Sequence, residues 1–369
     1  MDITYPDYRR NISNIADSIL ENFGVKHRQS NLAISLPEKR RTFLIVLDGL
    51  GWNLFSRLKI SKQLNAQKIS SVFPSTTATA LTSILSGTTP GQHGIIGYKA
   101  FIKESGGIVK PLHSTFAAIH ADEILRQATP LKEMFSVHTL FESLRESGVK
   151  SGVIYPSGIT YSGFSEMVLS GASEFFTYDN VWDALEVFSN EMKNGRYGFY
   201  HFYVPFIDGV EHGYGSQSEV AYEAASFILS NIVSKIKKYE DKVNVIITAD
   251  HGHINIERRI EFNDNPQLMR KLEIPPYGDG RAPLFRSRYD ISEELAGYNL
   301  GVFGRDMRKL LFGATDKRTE DRLPDYVGVP LDDSSYYYRY APKGEKPRSD
   351  MSNHGGLSQA EMEVPLVLL

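Results

Sequence analysis

Three short apolar runs, each followed at once by an aspartate, constrain the fold of this chain more than any other feature. The runs are FLIVL (43–47), YGFYHFYVPFI (197–207) and VNVIITA (243–249). Their β-branched and aromatic residues are typical of strands buried on both faces of a sheet, and two of the three runs lack alternation. The residues that follow them are Asp48, Asp208 and Asp250. The pattern predicts a sheet that delivers three carboxylates to one edge.

Helical patterns alternate with these strands. SGVIY (151–155) and VPLVLL (364–369) are two further candidate strands. The helical patterns lie at 77–86, 139–148, 180–193 and 216–238. This alternation predicts an α/β fold, with a mostly parallel central β-sheet sandwiched by helices.

The segment 255–345 differs from the rest of the chain because it is rich in charge, proline and glycine and contains only short predicted elements. These elements are APLFRS (282–287), LGVFG (300–304), a helix near 304–312 and SYYYRY (335–340). We interpret the segment as an inserted smaller α+β lobe. Residues 1–254 and 346–369 then form the catalytic domain, with an N-terminal helical arm at 1–30.

The bulk composition excludes several classes of function. A net charge of −3 and a pI of about 6.4 provide no basic excess for a nucleic-acid polymer. The absence of cysteine excludes disulfides and thiolate ligands. The N-terminus lacks a signal-peptide h-region, and no apolar run is long enough to span a membrane. We therefore expect a cytoplasmic protein with a small substrate and no membrane partner.

Histidines accompany the aspartates. His212 lies four residues after Asp208, His251 follows Asp250 directly, and His354 stands in SNHGG before the last strand. Carboxylates gathered at one edge repel each other unless cations lie among them. Mixed carboxylate and imidazole ligands suit zinc or manganese, and two such cations would clamp a phosphoryl group. A single aspartate after a strand is usually a turn residue or helix cap, and a single histidine there is more often a satisfied polar group than a ligand. Three aspartates with three nearby histidines favour the metal site.

A second motif, SSVFPSTTATALTSILSGTTPGQHGIIGY, spans residues 70–98. Small residues from Ser75 to Thr79 open a predicted helix that runs to about Ser86. A helix N-terminus binds phosphate readily, and a cation can ionise a threonine hydroxyl into a nucleophile. The alternative is an ordinary N-cap cluster of serine and threonine.

Five motifs in order, LIVLDGLG, FPSTTATALTSILSGTTPGQHGI, FIDGVEHGYG, ITADHGH and NHGG, resemble the type I phosphodiesterase/nucleotide pyrophosphatase branch of the alkaline phosphatase superfamily. The resemblance spans residues 43–357. It implies that one zinc ion is held by Asp48, Asp250, His251 and the Thr77 oxygen, and the other by Asp208, His212 and His354. It also implies that Thr77 is the nucleophile, with Thr76 as the competitor, and that the insert covers the substrate.

The chain departs from the family at one position. The characterised phosphodiesterases carry a phosphate-binding asparagine where this chain has Tyr98, so we expect Tyr98 to contact substrate. Lys99 could assist, and Arg281 in the glycine-rich turn is a further candidate substrate contact. His93 and His253 are interpreted as structural support, and the aromatic residues of 335–340 either pack or stack on a base.

The resulting hypothesis is metal-dependent hydrolysis of phosphodiester or pyrophosphate bonds in small nucleotide-type substrates. The reaction would pass through a phosphorylated or nucleotidylated threonine at a site with two divalent cations, Zn²⁺ or Mn²⁺. The alternatives within the superfamily are a phosphomonoesterase, a phosphonate hydrolase and a metal-dependent phosphoglycerate mutase-like enzyme. Outside it, a metal-stabilised protein without turnover is the rival, which chelator-sensitive hydrolysis of an aryl phosphate ester would exclude.

Overall fold

The computed structural model describes residues 2–26, 34, 36–37, 41–135, 137–341 and 349–369. The strands are β1 (Arg41–Leu47), β2 (Ala66–Ser70), β3 (Ala100–Ile102), β4 (Gly107–Lys110), β5 (Thr115–Phe116), β6 (Ser151–Pro156), β7 (Glu174–Tyr178), β8 (Phe199–Val204), β9 (Val243–Thr248), β10 (Ile254–Asn255), β11 (Arg258–Glu261), β12 (Tyr277–Asp279), β13 (Ala282–Phe285), β14 (Leu300–Phe303), β15 (Tyr326–Pro330), β16 (Ser334–Tyr337), β17 (Ser352–Asn353) and β18 (Glu363–Leu368).

The α-helices are α1 (Asn14–Asn22), α2 (Trp52–Arg57), α3 (Thr77–Ser86), α4 (Pro90–His93), α5 (Ile124–Ala128), α6 (Leu131–Met134), α7 (Leu140–Glu146), α8 (Gly163–Val168), α9 (Val181–Asn194), α10 (Phe206–Tyr214), α11 (Glu219–Ile236), α12 (Pro266–Lys271), α13 (Ser292–Leu295), α14 (Arg308–Phe312) and α15 (Gln359–Met362). Short 3-10 helices lie at Ile60–Gln63, Lys103–Ser105, Pro111–His113, Phe262–Asp264, Arg305–Met307 and Glu320–Arg322.

A seven-stranded sheet with the order β2-β18-β9-β1-β8-β6-β7 forms the centre of the molecule. Strands β9, β1, β8, β6 and β7 are parallel, whereas β18 runs antiparallel to both β9 and β2. The central strands are buried along their length because helices cover both faces. The predicted fold class, a mostly parallel sheet with helices, is confirmed.

The predicted elements of this core are found, with one informative error. Helix α3 begins and ends at the predicted residues, and the five predicted strands are present. The strand predicted over 197–207, however, ends at Val204, and Asp208 lies in the first turn of α10. The expectation that Asp208 directly follows a strand is therefore wrong. Pro205 explains the break, because it has no N–H to continue the strand pairing.

The described part of the predicted insert, residues 255–341, contains an antiparallel sheet with the order β12-β13-β15-β14. A small core of its own includes Phe262, Phe285 and Tyr336, while Tyr277 and Leu284 pack into the main core. The segment therefore forms a lobe that is joined firmly to the sheet domain. The domain boundaries stay predictions, and residues 342–348 lie outside the described residues.

The N-terminal arm packs on the same core. Ile12, Ile15 and Ile19 are fully buried on and beside α1, as their helical spacing predicts. Residues 27–30 of the predicted arm lie outside the described residues. Among the residues that the structure describes, no helix has both the length and the apolar composition needed to cross a membrane. The cytoplasmic location stays a prediction.

Candidate metal centre and active site

Strands β9, β1 and β8 are neighbours in the sheet, so the polar residues that follow them lie at one edge of it. The carboxyl ends of these parallel strands lie side by side, and each is followed by polar residues. Asp48 follows β1, and its backbone N–H donates to the carbonyl of Val204 over 3.0 Å. Asp250 and His251 follow β9. The topology thus assembles the predicted carboxylates, as the rule for open α/β sheets requires.

The first group of side chains, here called the inner cluster, consists of Asp48, Asp250 and His251. The His251 Nε2 atom lies 3.5 Å from Asp48 Oδ1 and 3.3 Å from Asp250 Oδ2. Asp250 Oδ1 is held from behind by the backbone N–H groups of Gly49, at 3.1 Å, and His251, at 3.0 Å. All three side chains are almost completely buried.

Thr77 is the first residue of α3 and adjoins the inner cluster. Its Oγ1 atom lies 3.1 Å from His251 Nε2. Thr76 is the N-cap residue of this helix. The hydroxyl of Thr77 therefore lies at a helix N-terminus, close to the buried imidazole of His251. Its role as the nucleophile stays a prediction.

The second group, the outer cluster, consists of Asp208, His212 and His354. Asp208 and His212 share one face of α10 because they are four residues apart. The Asp208 Oδ1 atom lies 3.4 Å from His212 Nε2 and 3.7 Å from His354 Nε2. The rings of His354 and His251 stack with their centroids 3.7 Å apart, so the two clusters are in direct contact.

His253 lies closer to the outer cluster than sequence reasoning expected. Its Nε2 atom is 2.9 Å from Asp208 Oδ1, and its Nδ1 atom is 3.0 Å from Ser352 Oγ. The four residues Asp208, His212, His253 and His354 have ligand atoms near enough to each other to hold one cation. His253 is therefore a candidate ligand or a support for Asp208, and the DHGH spacing was the available signal.

Backbone carbonyls orient the histidine rings of both clusters through contacts with the Nδ1 atoms. The Nδ1 atoms of His212, His251 and His354 lie 2.9, 3.3 and 3.1 Å from the carbonyls of Ser352, Gly252 and Ser75. A carbonyl only accepts, so each Nδ1 carries a hydrogen, and each Nε2 faces the carboxylates and is the nitrogen that a bound cation would contact. This is the arrangement that metal-ligating histidines adopt.

Two carboxylates of the inner cluster are incompletely hydrogen-bonded. Among the described residues, Asp48 Oδ1 and Asp250 Oδ2 are buried and have no hydrogen-bond partner. Burial, followed by the charges of Asp250 and Asp208, raises the pKa of Asp48 well above its ordinary value. Burial opposes ionisation of Asp208 as well, but hydrogen bonds with His212 and His253 hold its pKa well below the usual range. Two buried oxygens without donors fit a cation site.

Two residues of the site were missed from the sequence. The Tyr203 hydroxyl donates to Asp48 Oδ2 and fixes that carboxylate. Glu211 is buried behind His253, and burial together with the charge of Asp208 raises its pKa well above the ordinary value. The signal for Glu211 was its place in IDGVEH, one helical turn from Asp208. Tyr203 gave no signal, because an aromatic residue in a buried strand is ordinary.

A cavity of about 230 Å³ opens over the site. Thr77, Asp208, His212 and His354 border it from the sheet edge, Tyr98 and Lys99 from the segment after α4, and Phe262, Tyr277, Asp279 and Tyr336 from the lobe. The lobe therefore forms one wall of the cavity, as expected of a segment that covers a substrate. The three tyrosines of Tyr336–Tyr338 also line it.

The structure does not place Arg281 in this cavity, so the expected substrate contact is corrected. The guanidinium is fully buried and pairs with Glu361 through two bonds of 3.1 Å. It also donates to the carbonyls of Asp332 and Ser334, each at 2.6 Å. His93, in contrast, matches its structural interpretation: its Nε2 lies 3.0 Å from Ser83 Oγ, and burial lowers its pKa to about 3.

Comparisons with known proteins identify the family of this chain. The family model for type I phosphodiesterase/nucleotide pyrophosphatase matches residues 42–355. The chain belongs to this family. It is thus a hydrolase of the alkaline phosphatase superfamily, and the matched range contains every residue of the inner and outer clusters. No curated protein sequence matches the chain.

Solved structures share the fold of this family member at low sequence identity. Murine ectonucleotide pyrophosphatase/phosphodiesterase 5 is 16% identical with a TM-score of 0.64, and the match covers 89% of this chain and 87% of that one. An inactive variant of the murine protein was solved in complex with AMP, with 16% identity, a TM-score of 0.64 and coverage of 89% and 88%.

Phosphonoacetate hydrolase from Sinorhizobium meliloti 1021 in complex with phosphonoformate is likewise 16% identical, with a TM-score of 0.68 and coverage of 93% and 92%. These likenesses show the fold. The type I phosphodiesterase/nucleotide pyrophosphatase family is metal-dependent, and the chain presents a matching Asp/His cluster.

Proposed function

We propose that this protein hydrolyses phosphodiester or pyrophosphate bonds of small substrates through a covalent intermediate on Thr77. The observation that carries the proposal is the position of the Thr77 hydroxyl. It lies at the start of α3, 3.1 Å from His251 Nε2, and borders the same cavity as Asp208, His212 and His354. A nucleophile, two sets of cation ligands and a substrate cavity thus converge at one edge of the sheet.

The ligand sets fit two divalent cations. The inner cluster, with Thr77 Oγ1, would hold one, and the outer cluster would hold the other. Two buried oxygens, Asp48 Oδ1 and Asp250 Oδ2, have no hydrogen-bond partner in the described part of the chain. These oxygens and the Nε2 atoms of three histidines support this assignment. Bound cations would supply Lewis-acid stabilisation of the negative charge on the phosphoryl group and on both oxygens in line with it. The mixed nitrogen and oxygen donors suit Zn²⁺, with Mn²⁺ as the alternative.

Thr77 and the start of α3 would carry out the covalent steps of the reaction. Thr77 Oγ1 loses its proton to solvent and forms a bond to phosphorus while the bond to the leaving oxygen breaks. The product of this step is a phosphorylated or nucleotidylated Thr77. Water hydrolyses that ester and restores the hydroxyl. The first backbone N–H groups of α3 have no carbonyl of a preceding helical turn, so they can donate to the phosphoryl oxygens.

The cavity and the relatives support a small substrate. A volume of about 230 Å³ is below the range of about 300–1,000 Å³ that is usual for ligand pockets, so it suits a small ester and does not suit a polymer duplex. The murine relative binds AMP and the bacterial one binds phosphonoacetate and phosphonoformate in their structures. Phosphonate hydrolysis is the second candidate, because a phosphonoacetate hydrolase shares the fold of this chain and threonine rather than serine stands at position 77. Monoester hydrolysis and a mutase-like reaction rank below these two.

A substrate pair tests the proposal. Bis-p-nitrophenyl phosphate and p-nitrophenyl phosphate are assayed side by side with added Zn²⁺ or Mn²⁺ and with a chelator. We expect a preference for the diester that the chelator abolishes. The variant Thr77→Ala should lower kcat by about 10³-fold or more with its cation content unchanged, while Thr77→Ser should keep measurable turnover.

The matched control is Thr76→Ala, which removes the neighbouring hydroxyl and should keep kcat within about 10-fold. The proposal is wrong if Thr77→Ala hydrolyses the diester at the wild-type rate. A monoester preference would keep Thr77 as the nucleophile and change the substrate class. If phosphonoacetate is cleaved faster than either aryl ester, the phosphonate alternative replaces the diester.

A further inference from the structure

Tyr98 borders the cavity that Thr77 also borders. Its backbone N–H donates to both carboxylate oxygens of Asp279, at 3.2 and 3.1 Å, which ties the segment after α4 to β12 of the lobe. Asp279 borders this cavity as well. Tyr98 therefore lies at the wall of the proposed substrate cavity.

Two further residues extend from the Tyr98 hydroxyl toward solvent. The Tyr98 Oη atom lies 3.1 Å from His113 Nε2, and His113 Nδ1 lies 3.1 Å from Asp122 Oδ1. The two rings meet edge to face, with centroids 5.7 Å apart. A tyrosine, an imidazole and a carboxylate therefore form a continuous chain, here called the Tyr98–His113–Asp122 chain.

The outer end of this chain is open to water. The side chains of His113 and Asp122 are 38% and 57% exposed. Both residues line a second cavity of about 570 Å³, which Thr77, Asp48 and Asp208 also border. The backbone N–H of Glu123 donates to the His113 carbonyl over 2.8 Å and fixes the spacing of the two residues. His113 can thus exchange a proton with solvent while its partner Tyr98 lies at the reacting site.

The hydrogen bonds of the Tyr98–His113–Asp122 chain allow two states. With neutral His113, Nδ1–H donates to Asp122, and Nε2 accepts the Tyr98 hydrogen. The Tyr98 oxygen then presents only lone pairs to the cavity, which repel a phosphate oxygen. With protonated His113, Nε2–H donates to Tyr98 Oη, and the Tyr98 hydrogen turns to the cavity. Asp122 is the counter-ion of the imidazolium in that state.

We propose that substrate phosphate binding is coupled to uptake of one proton by His113, which turns the Tyr98 hydroxyl into a donor to a phosphoryl oxygen. The proton comes from solvent and binds at His113 Nε2, and no covalent bond to carbon, oxygen or phosphorus changes in this step. Tyr98 is the residue that touches the substrate, and His113 and Asp122 are positioning residues that act through it. The inference rests on the proposed function, since it supplies the phosphate that Tyr98 contacts.

Several charged groups lie around His113. Asp122 is in contact with it, and Glu123 lines the same cavity with its carboxylate turned to the backbone N–H of Gly163, at 2.8 Å. Arg126 is the positive group on this rim, and it pairs with Glu166 of α8. The carboxylates of Asp48 and Asp208 border the inner end of the cavity.

Calorimetric titration with inorganic phosphate tests the coupling without turnover. The metal-loaded protein is titrated at one neutral pH in two buffers of different ionisation enthalpy, which gives the number of protons taken up. We expect the wild type to take up as much as one proton more per phosphate than Tyr98→Phe and His113→Gln do. Tyr98→Phe should also weaken phosphate binding by about 10- to 100-fold, the loss of one hydrogen bond to a charged group.

A control variant separates this effect from any histidine change at the surface. His138 also lies beside carboxylates, with Nδ1 3.6 Å from Glu142, and its side chain is 59% exposed. His138→Gln should keep both the proton number and the affinity of the wild type. Asp122→Asn provides a second test of the chain, and it should lower the proton uptake in the same direction as His113→Gln.

A double-mutant cycle on diester hydrolysis asks whether His113 acts through Tyr98. We expect His113→Gln to lower kcat/KM by about 10-fold in the wild type and by less than about 2-fold when Tyr98→Phe is already present. A merely structural His113 would cost the same in both backgrounds, and that result overturns the proposal. Equal proton uptake and affinity in the wild type, Tyr98→Phe and His113→Gln overturns it as well.

The two readouts keep the inference apart from the proposed function. If the wild type hydrolyses no phosphate ester but shows the proton difference on phosphate binding, the function is wrong and the coupling stands. If Thr77-dependent hydrolysis is found and both variants behave as the wild type, the coupling alone is wrong. A wild type that binds no phosphate contradicts both.

Discussion

The inner and outer clusters use similar residues in very different surroundings. The side chains of Asp48, Asp250 and His251 are 3%, 0% and 0% exposed, whereas those of Asp208, His212 and His354 are 22%, 26% and 11% exposed. The inner cluster lies on the turns directly after β1 and β9. The outer cluster combines a helix, α10, with the turn after β17.

This difference has a chemical consequence. The inner carboxylates are almost completely buried, and among the described residues Asp48 Oδ1 and Asp250 Oδ2 have no hydrogen-bond donor, so a bound cation would compensate the charge of their ionised form. The outer aspartate is already compensated in part, because His212 and His253 hydrogen-bond to it. We infer that the inner cluster forms the tight, preformed cation site beside the nucleophile. The outer cluster then forms the weaker site at the cavity, where leaving group and water enter and depart.

The largest expected effect is the loss of an inner carboxylate. Asp250→Asn removes one charge opposite the cation and Thr77, so kcat/KM for the diester should fall by about 10³-fold or more, and excess Zn²⁺ should not restore it. Asp241→Asn, an exposed position before the same strand, is the control and should leave kcat/KM within about 2-fold. Recovery of the wild-type rate with added Zn²⁺ would remove the distinction between the clusters.

The next effect concerns stability and involves the buried Arg281–Glu361 pair, which contacts the backbone beside both clusters. Glu361 accepts from the Gly356 N–H over 2.9 Å, beside His354, and its carbonyl accepts from the Gly252 N–H over 2.9 Å, beside His251. Arg281 neutralises this buried carboxylate. Arg281→Ala should lower the free energy of unfolding by about 3–5 kcal/mol, because it leaves the Glu361 charge uncompensated.

Denaturant unfolding measures this change, and steady-state kinetics accompanies it. The fraction of Arg281→Ala that stays folded should bind substrate with a KM near that of the wild type. A variant of wild-type stability with a strongly raised KM would show instead that Arg281 contacts substrate. The double variant Arg281→Met, Glu361→Gln should recover part of the lost stability, since it removes both charges.

A smaller effect is expected in the outer cluster. His212→Ala should weaken one cation by about 10- to 100-fold, and added Zn²⁺ should restore most of kcat because the nucleophile and the inner site are intact. Activity measured against free Zn²⁺ concentration gives the shift directly. A variant that stays inactive at saturating Zn²⁺ would mean that the outer site is as indispensable as the inner one.

The smallest effect is a pH dependence of the metal-free protein. Burial raises the pKa of Asp48 and of Glu211, so the folded state holds protons that the unfolded chain has already released. Stability must then fall as pH rises, by at most about 1.4 kcal/mol per pH unit for each proton. Burial lowers the pKa of His253 to about 4, which has the opposite sign but acts only below its ordinary value of 6.5.

Thermal unfolding between about pH 6.5 and 9 checks this sign. The metal-free protein should lose Tm as pH rises through this window, while the Zn²⁺-loaded protein should change less, because the cation has already displaced the proton from Asp48. A metal-free Tm that rises with pH over this range would show that the inner carboxylates are ionised without a cation.

Much of the inner cluster could be predicted from the sequence, because it depends on local features. Strands β1 and β9 are apolar runs, and the aspartate after each is one residue or two beyond the strand end. Helix α3 has small residues at its start and Gly87 at its end, where a φ of 67° favours glycine. Parallel pairing then brings these positions together without further information.

The outer parts of the site were harder to predict, since they depend on contacts distant in sequence. The Tyr98–His113 contact forms across irregular segments and short strands whose path no periodicity reveals. Arg281 was misjudged because its partner, Glu361, is distant in sequence and lies in a short helix. Asp208 was placed on the wrong element, although its spacing to His212 was correct, because the apolar run continues past Pro205 into α10.

The central claim, two cation sites of unequal strength around Thr77, is tested most directly by the cation content of the purified protein. Elemental analysis is made after dialysis against graded concentrations of chelator. We expect two divalent cations per chain at low chelator concentration and one at intermediate chelator concentration. In His212→Ala, only the release of the more weakly bound cation should be lost. A single step that releases all cations together, unchanged in His212→Ala, or a protein that never holds more than one cation, would contradict it.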